Sequence, residues 1–333
     1  MGSENPGGKK PLLLVDAYSQ IYRGFYAVRA LTNSKGAPSN AVFAMAKLLL
    51  KLEEEYASWD GAFVFDKGKM EKRLALAPDY KANRPPMPEE LKTQIPFIRD
   101  LIRAFGWNII EQEGYEADDL MGGMAKLFTD RKVLLLSSDK DISQVIDRED
   151  RINMLVPAHD GKGFSIRSWE GTFRKFGVTP ERIVDFLSLV GDSSDNIPGV
   201  PGVGPKTAAA LIQEAGSIME MLREPERIGK LSLREKVVSH RETLEKNLRL
   251  VTLFTDLPPE AAIGNDSVKK AAPDKEAVSG IVREFELKSL AKDVEKLSSA
   301  SVTPSAPDLF GSSPLPEEER KENKGQEQLF FDF

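Results

Sequence analysis

The 333-residue sequence predicts an α/β fold, a doubly wound and mainly parallel sheet, followed by a helical C-terminal subdomain. Two observations carry this. Three apolar runs, at residues 11–16, 61–66 and 133–139, each end in an aspartate (Asp16, Asp66 and Asp139) without polar alternation. That is the pattern of strands buried on both faces of a parallel sheet. Helical periodicity separates them, at about 38–56 after the first run and about 116–129 before the third, and such β–α–β alternation builds doubly wound sheets.

Taken in order, residues 1–10 are polar and read as a disordered N-terminus, and a first domain spans 11–177. Within it residues 67–105 break the alternation. They are basic, then proline-rich (Pro78, Pro85, Pro86, Pro88, Pro96), with helical periodicity returning near 89–105. So long an excursion from a sheet is usually functional. The pattern is helical from about 178 to 255 around a glycine-proline turn and again over 275–298, giving a second domain at 178–298. Residues 299–333 form a Pro/Ser/Glu-rich tail expected to be disordered.

Composition narrows the chemistry. There are no cysteines and only two histidines, His159 and His240, so any metal must be held by oxygen, which favours Mg²⁺, Mn²⁺ or Ca²⁺. No apolar stretch reaches membrane-spanning length and the polar start is not a signal peptide, so no membrane is expected and a cytoplasmic protein is. The net charge of −6 misleads about partners. Residues 301–333 hold seven acids and three bases, which leaves the first 300 residues near −2. Without the nine clustered carboxylates described next, their surroundings are near +7, a frame suited to a polyanion.

Ligands of open α/β sheets gather beyond the carboxyl ends of the strands, and carboxylates delivered there repel one another unless a cation lies between them. Three further clusters add acid. Glu116, Asp118 and Asp119 stand at a helix start, where simple N-terminal capping is the alternative reading. Asp139 and Asp141 share one side if the third strand continues with period two. Asp192 and Asp195 alone would pass as an Asx-type turn. With Asp16 and Asp66 these make nine carboxylates, more than one ion needs. Two or more divalent ions suit in-line displacement at phosphate.

Two basic elements complete the pattern. Gly199-Val-Pro-Gly202-Val-Gly204-Pro-Lys206-Thr207 lies between two apolar helices. Its glycines allow close backbone approach, so amides at a helix N-terminus can face a phosphate; a tight turn with proline at the first helical position needs only one glycine. The second element runs from Asp66 through Lys67, Lys69, Lys72 and Arg73 to Tyr80-Lys81-Ala-Asn83-Arg84. A charge run is usually a solvated face, but this one begins at a strand-end aspartate.

Ordered in this way, Val15-Asp16, Phe65-Asp66, Tyr80-Lys81-x-Asn83-Arg84, Gly114-Tyr-Glu-Ala-Asp-Asp119, Ser138-Asp-Lys-Asp141 and the run from Gly191 to Thr207 resemble the 5′-nuclease family over about residues 11–290. That family includes the 5′→3′ exonuclease domain of bacterial DNA polymerase I, phage 5′-exonucleases and flap endonucleases. The resemblance implies a PIN-like catalytic core at 11–177, a helical arch at about 67–105, and a helix-hairpin-helix-type DNA clamp at about 183–215 where a K⁺ ion can sit. It implies Mg²⁺ ions, with Mn²⁺ able to substitute. Asp16, Asp66, Glu116, Asp118 and Asp119 would serve one position and Asp139, Asp141, Asp192 and Asp195 a second, with Asp118 or Asp119 bridging. Lys81 and Arg84 match cations that assist at the scissile phosphate. Tyr22, Arg23 and Phe25 lie where the family contacts substrate, and aromatics there can stack a base; a core role is the alternative for Tyr22 and Phe25. Lys67, Lys69, Arg73, Tyr80, Gly199, Gly202, Gly204, Lys206 and Thr207 are the other expected DNA contacts. Ala17 departs from the glycine common after the first aspartate but touches no ligand.

The expected substrates are DNA 5′ ends and flaps and RNA primer–DNA junctions, handled by a monomer at the nucleoid, with a separate polymerase and a ligase as partners. The chain ends in Gln326-Glu-Gln-Leu329-Phe330-Phe331-Asp-Phe333, an apolar knot on an acidic tether, as in docking peptides. Gln326, Leu329, Phe330 and Phe331 resemble the bacterial sliding-clamp-binding motif, and Asp308-Leu309-Phe310 echoes it; folding back on the domain is the alternative. A haloacid-dehalogenase-type phosphatase would need a second aspartate where Tyr18 stands. A non-catalytic DNA-binding module tethered to a clamp is the other rival, and it should lack ligands that are all present here.

Overall fold

Five parallel strands, β1 (Leu12–Asp16), β2 (Asp60–Phe65), β3 (Asn108–Glu111), β4 (Val133–Leu136) and β5 (Ile152–Pro157), form one sheet with the antiparallel edge strand β6 (Phe164–Arg167). The order is β3-β2-β1-β4-β5-β6. The structure, a computed structural model, describes residues 9–29, 31–158 and 163–297. Most of the N-terminal segment and the whole 299–333 tail, with its docking peptide, lie outside these residues.

The apolar runs form central strands because each feeds two cores with period two. Leu13 and Val15 of β1 join Phe63 and Phe65 of β2 and Leu134 and Leu136 of β4 on one face. Leu12 and Leu14 join Ala62, Val64, Val133 and Leu135 on the other. The helices Asn40–Tyr56 and Ile95–Ala104 cover the first face, and Ala117–Leu127 covers the second. The strand order reverses between β1 and β4, so the crevice of the doubly wound sheet opens beside Asp16.

A separate apolar cluster builds the helical part from Ile183–Val190, Pro205–Ala215, Ile218–Arg223 and Arg241–Val251. It also takes in Ala77 and Tyr80, with Met70, Leu74 and Leu76 packed against it. The excursion expected over 67–105 is therefore shorter than the sequence suggests. Its short helix Glu71–Leu76 is seated on the second core, and from Leu91 onward it belongs to the first. The packing of the last part of the second domain also differs, since residues beyond Val251 leave the helical core. Leu253 and Val268 pack under the sheet, and the helix Lys275–Glu284 places Val278 and Val282 in the first core, together with Phe285, Leu287, Leu290, Val294 and Leu297. Apolar residues at helical spacing mark a buried face without saying which core receives it. No helix among the described residues is long and apolar enough to cross a membrane.

The return is strapped by backbone. The Ala271 amide donates to Gly106 O (2.9 Å), the Asp274 amide to Ala104 O (2.7 Å), and Lys270 pairs with Glu53 at 2.6 Å. Gly106 has φ +78°, and a Cβ there would lie 2.1 Å from Ala271 O. Gly106→Ala is therefore expected to lower stability by about 2–4 kcal/mol through strain and backbone collision. Urea unfolding measures this, and an unchanged midpoint would show that the strap tolerates a side chain.

Candidate active site

The site assembles at the carboxyl ends of β1, β2 and β4. Asp16 caps the helix Ala17–Ala27, accepting the Ser19 amide on Oδ1 at 3.0 Å, and accepts the Ser137 hydroxyl on Oδ2 at 2.8 Å. Burial, then the charge of Asp66, push its pKa up to about 7. Asp66 follows β2 and accepts the amide of Ala117 at 2.7 Å, the first residue of the helix Ala117–Leu127. Crowding by the protein pushes its carboxyl upward too, but Asp66 is open to solvent and water screens much of that effect.

Glu116, Asp118 and Asp119 sit at the start of that helix, where the dipole favours negative charge. Their carboxylate oxygens lie within 4.8 Å of one another. Glu116 is buried and ion-paired with Arg73 at 2.8 Å and with Lys81. Burial alone would raise its pKa, yet Lys81 and Arg73 hold it below the usual range. Asp118 accepts the Asp119 amide at 2.7 Å. Burial, then the charges of Glu116 and Asp119, drive its pKa well above normal.

The second and third clusters meet this one. β4 stops at Leu136, so Asp139 and Asp141 do not share a side by strand period as the sequence suggested. They lie instead in a tight turn leading into a single 3₁₀ turn, Asp141–Val145. The turn wins because side chains replace the lost ladder: Asp139 N donates to Ser137 Oγ (3.0 Å) and Asp141 N to Asp139 Oδ1 (2.9 Å). Burial raises the pKa of Asp139, and burial followed by the charge of Asp139 raises that of Asp141 well above normal. Asp141 Oδ1 is buried with no partner. The Asx turn read at Asp192 is present, since Ser194 N donates to Asp192 Oδ1 at 2.8 Å. Burial opposes the ionisation of Asp192, but the Ser194 hydroxyl and Lys140, 2.9 Å away, lower its pKa. Asp195 takes Arg84 on Oδ1 and has Lys81 3.7 Å from Oδ2.

Five carboxylates, Asp16, Asp66, Asp118, Asp139 and Asp141, are thus short of positive charge, whereas Glu116 and Asp192 hold protein cations. An all-oxygen donor set with an orphan buried carboxylate oxygen fits a hard divalent cation.

Two expected DNA contacts are placed elsewhere. Arg73 is 2% exposed, its Nε donating to Leu250 O (3.0 Å) and its fork to Asp119. Tyr80 is buried, with its hydroxyl 3.0 Å from both Glu116 and Asp195, and burial, then Glu116, raises its pKa. The solvated-face alternative holds for Lys67, Lys69, Lys72 and Arg84, which are exposed; Arg73 is buried and Lys81 half-buried, where they serve as internal cations for the carboxylates. Gly199 is claimed by packing, since a Cβ there would lie 2.2 Å from Val190 O. Gly202 has φ +78°, while Gly204 meets open space and Lys206 is exposed beside it. Thr207 is half-buried, and Lys69 is exposed. Lys67 is exposed and pairs with Glu111 at 3.0 Å. Tyr22 is half-buried and stacks on Tyr26, which is 61% exposed. Arg23 is exposed and lies over the Phe164 ring, and Phe25 packs on the first core.

Sequence reasoning missed Ser137, the bridge from Lys140 to Asp192, and Arg99, which pairs with Glu111 at 2.9 Å over the Phe65 ring. Ser137 lies inside a quoted run and was findable; Arg99 sits on a core helix and carried no signal.

Residues 11–177 match the model of the 5′-3′ exonuclease N-terminal resolvase-like domain, and residues 178–276 that of the 5′-3′ exonuclease C-terminal SAM fold. The 5′-3′ exonuclease of Aquifex aeolicus is 36% identical over 290 residues, covering 86% of this chain and 96% of that one. DNA polymerase I of Pseudomonas aeruginosa is 37% identical over 293 residues, covering 85% of this chain but 31% of the polymerase. Among solved structures, T5 5′-exonuclease with bound zinc superposes with a TM-score of 0.61 at 23% identity, covering 82% of this chain and 99% of that one. The catalytic core of Rad2 with a DNA substrate gives 0.58 at 18%, covering 87% and 93%. These two likenesses show the fold. By both of its domains and by a relative of nearly its full aligned length, the chain belongs to the 5′-3′ exonuclease family.

Proposed function

We propose that the chain is a metal-dependent, structure-specific 5′-nuclease that hydrolyses phosphodiester bonds at DNA 5′ ends and 5′ flaps, removing RNA primers and flaps in replication and repair. One observation carries this reading: five under-compensated carboxylates share a site with two cations, Lys81 and Arg84, held at its edge by Glu116 and Asp195. Asp16, Asp66, Glu116, Asp118 and Asp119 would hold one Mg²⁺ or Mn²⁺, and Asp139, Asp141, Asp192 and Asp195 a second, with Asp118 or Asp119 bridging. The ions held by these carboxylates would supply the positive charge that an in-line displacement at phosphate requires. Lys81 and Arg84 hold negative charge developing on the scissile phosphate. Tyr22 and the exposed Tyr26 offer a stacking face, and Arg23 a cation for the strand. Gly202, Gly204 and Lys206 take the duplex backbone without reading bases. A K⁺ ion at this turn belongs to the same reading, although Lys236 already donates to Pro201 O at 2.9 Å. The non-catalytic alternative is disfavoured because every carboxylate of the set is present.

The wider setting is a monomer at the nucleoid working with a polymerase and a ligase. The terminal Gln326, Leu329, Phe330 and Phe331 would dock on a sliding clamp.

Three outcomes are expected. With a labelled 5′-flap duplex, Mg²⁺ supports cleavage and EDTA abolishes it, and Asp139→Asn slows cleavage by about 10³-fold or more while retaining DNA binding; binding with no metal-dependent cleavage would favour the non-catalytic module. Deleting 326–333 abolishes clamp capture in a pull-down and leaves flap cleavage unchanged; undiminished capture sinks the tether. The third outcome concerns pH. Folded Asp16, with its pKa near 7, keeps a proton that the unfolded chain releases at its ordinary value of 3.8. The folded state therefore binds more protons between these values, and stability falls as pH rises through about 7. In EDTA the melting temperature should drop from pH 5 to 8, Asp16→Asn should lessen the drop while Asp118, Asp139 and Asp141 keep part of it, and Mg²⁺ should offset it at pH 8. A flat EDTA profile counts against the buried, uncompensated carboxylate.

A further inference from the structure

Glu116, Asp118 and Asp119 are close enough to hold one ion together, but Asp119 faces the other way. It is 1% exposed and its oxygens are already engaged. Oδ2 accepts Arg73 NH1 at 2.6 Å, while Oδ1 accepts Arg73 NH2 and the Phe254 amide, each at 2.8 Å. Arg73 uses its remaining reach on Leu250 O and on Glu116 Oε2, and its guanidinium lies 4.8 Å from the centre of the Phe254 ring. The pair thus joins the Glu71–Leu76 helix, the start of Ala117–Leu127, the end of Arg241–Val251 and the chain beyond it. Turning Asp119 toward a metal would strip a buried guanidinium of its bidentate partner and orphan the Phe254 amide.

We infer that Asp119 is not a metal ligand but a positioning residue. With Arg73 it fixes the rotation of the helix start, so that Asp118 faces the site and Glu116 presents Oε1, the oxygen that Lys81 holds. Arg73 sets Glu116 directly, through NH1 on Oε2. The inference rests on the nuclease reading above and subtracts one carboxylate from its ligand set.

The test uses the full chain, stripped of metal and titrated with Mn²⁺ by electron paramagnetic resonance, beside flap-cleavage kinetics. Asp119→Asn should keep the Mn²⁺ stoichiometry and an affinity within about threefold, whereas Asp118→Asn should weaken one Mn²⁺ site about tenfold or more, the size expected for a ligand against its support. In the folded Asp119→Asn protein, kcat should fall about 10- to 100-fold with KM nearly unchanged, as expected for a misplaced catalytic group; a merely structural role would leave kcat intact. Arg73→Met and Asp119→Asn should each lower Tm, and the double variant should lose less than the two combined. If Asp119→Asn does not fold, Arg73→Lys, which keeps the charge without the fork, should show the same kcat loss with Mn²⁺ stoichiometry intact. Loss of a Mn²⁺ site in Asp119→Asn or Arg73→Lys overturns the inference, as do additive Tm losses or an unchanged kcat. If Asp118→Asn also leaves Mn²⁺ binding untouched, the metal-site reading fails with it.

Discussion

Like charge at the carboxyl edge of the sheet is the constraint that the rest of this structure answers. Strand-end aspartates and three acidic clusters converge where burial of all but Asp66 and a few partly open groups removes much of the screening water. The protein meets part of that repulsion with its own cations. Arg73 joins Glu116 to Asp119, Lys81 spans Glu116 and Asp195, Arg84 holds Asp195, and Lys140 ties the second cluster to Asp192. Each of these cations crosses between chain segments, so the electrostatic answer is also a tertiary clamp.

What remains uncompensated defines the chemistry. Asp118, Asp139 and Asp141 are all held above their ordinary pKa by burial and by neighbouring carboxylates, Glu116 beside Asp118, Asp195 beside Asp139 and Asp139 beside Asp141. A buried site kept short of positive charge has a standing affinity for a hard cation, and in the proposed nuclease reading the Lys81/Arg84 edge would share a phosphate with it. Stability and function oppose each other here in the usual way of strained sites. The three apolar cores supply the difference, and the helical core meets the core on the second face of the sheet along one segment. Asn247 donates to Ser188 O and Pro198 O, Gln144 bridges Val251 O and the Leu253 amide, and Leu250 O and the Phe254 amide meet Arg73 and Asp119. Residues 247–254 thereby place all three acidic clusters in register.

The parts that were legible in sequence share a feature: their signal is local. β1, β2 and β4 are continuous apolar runs because both faces of a central parallel strand are buried. The helix at Ala117–Leu127 carries its own apolar face and N-terminal acids, and the glycine hairpin its own turn glycine and first-turn proline. Where the signal depended on a partner far along the chain, reading failed. Arg73 and Tyr80 look like solvated, DNA-facing groups until Leu250, Phe254 and Asp195 are brought against them. Gly199 looks like a phosphate cradle until Val190 O is found where its Cβ would be.

Sequence alone determined the fold class, the family and the identity of the acidic set, because buried strands, hairpin glycines and the spacing of carboxylates are properties of short segments. Tertiary structure alone decided how those carboxylates divide into cation-paired and cation-short groups, and which core receives residues 70–80 and 275–297. The reason is physical. Burial and charge compensation are set by neighbours far apart in the chain, such as Arg73 and Leu250, 177 residues distant, and a carboxylate's environment, not its position in a motif, fixes what it can bind.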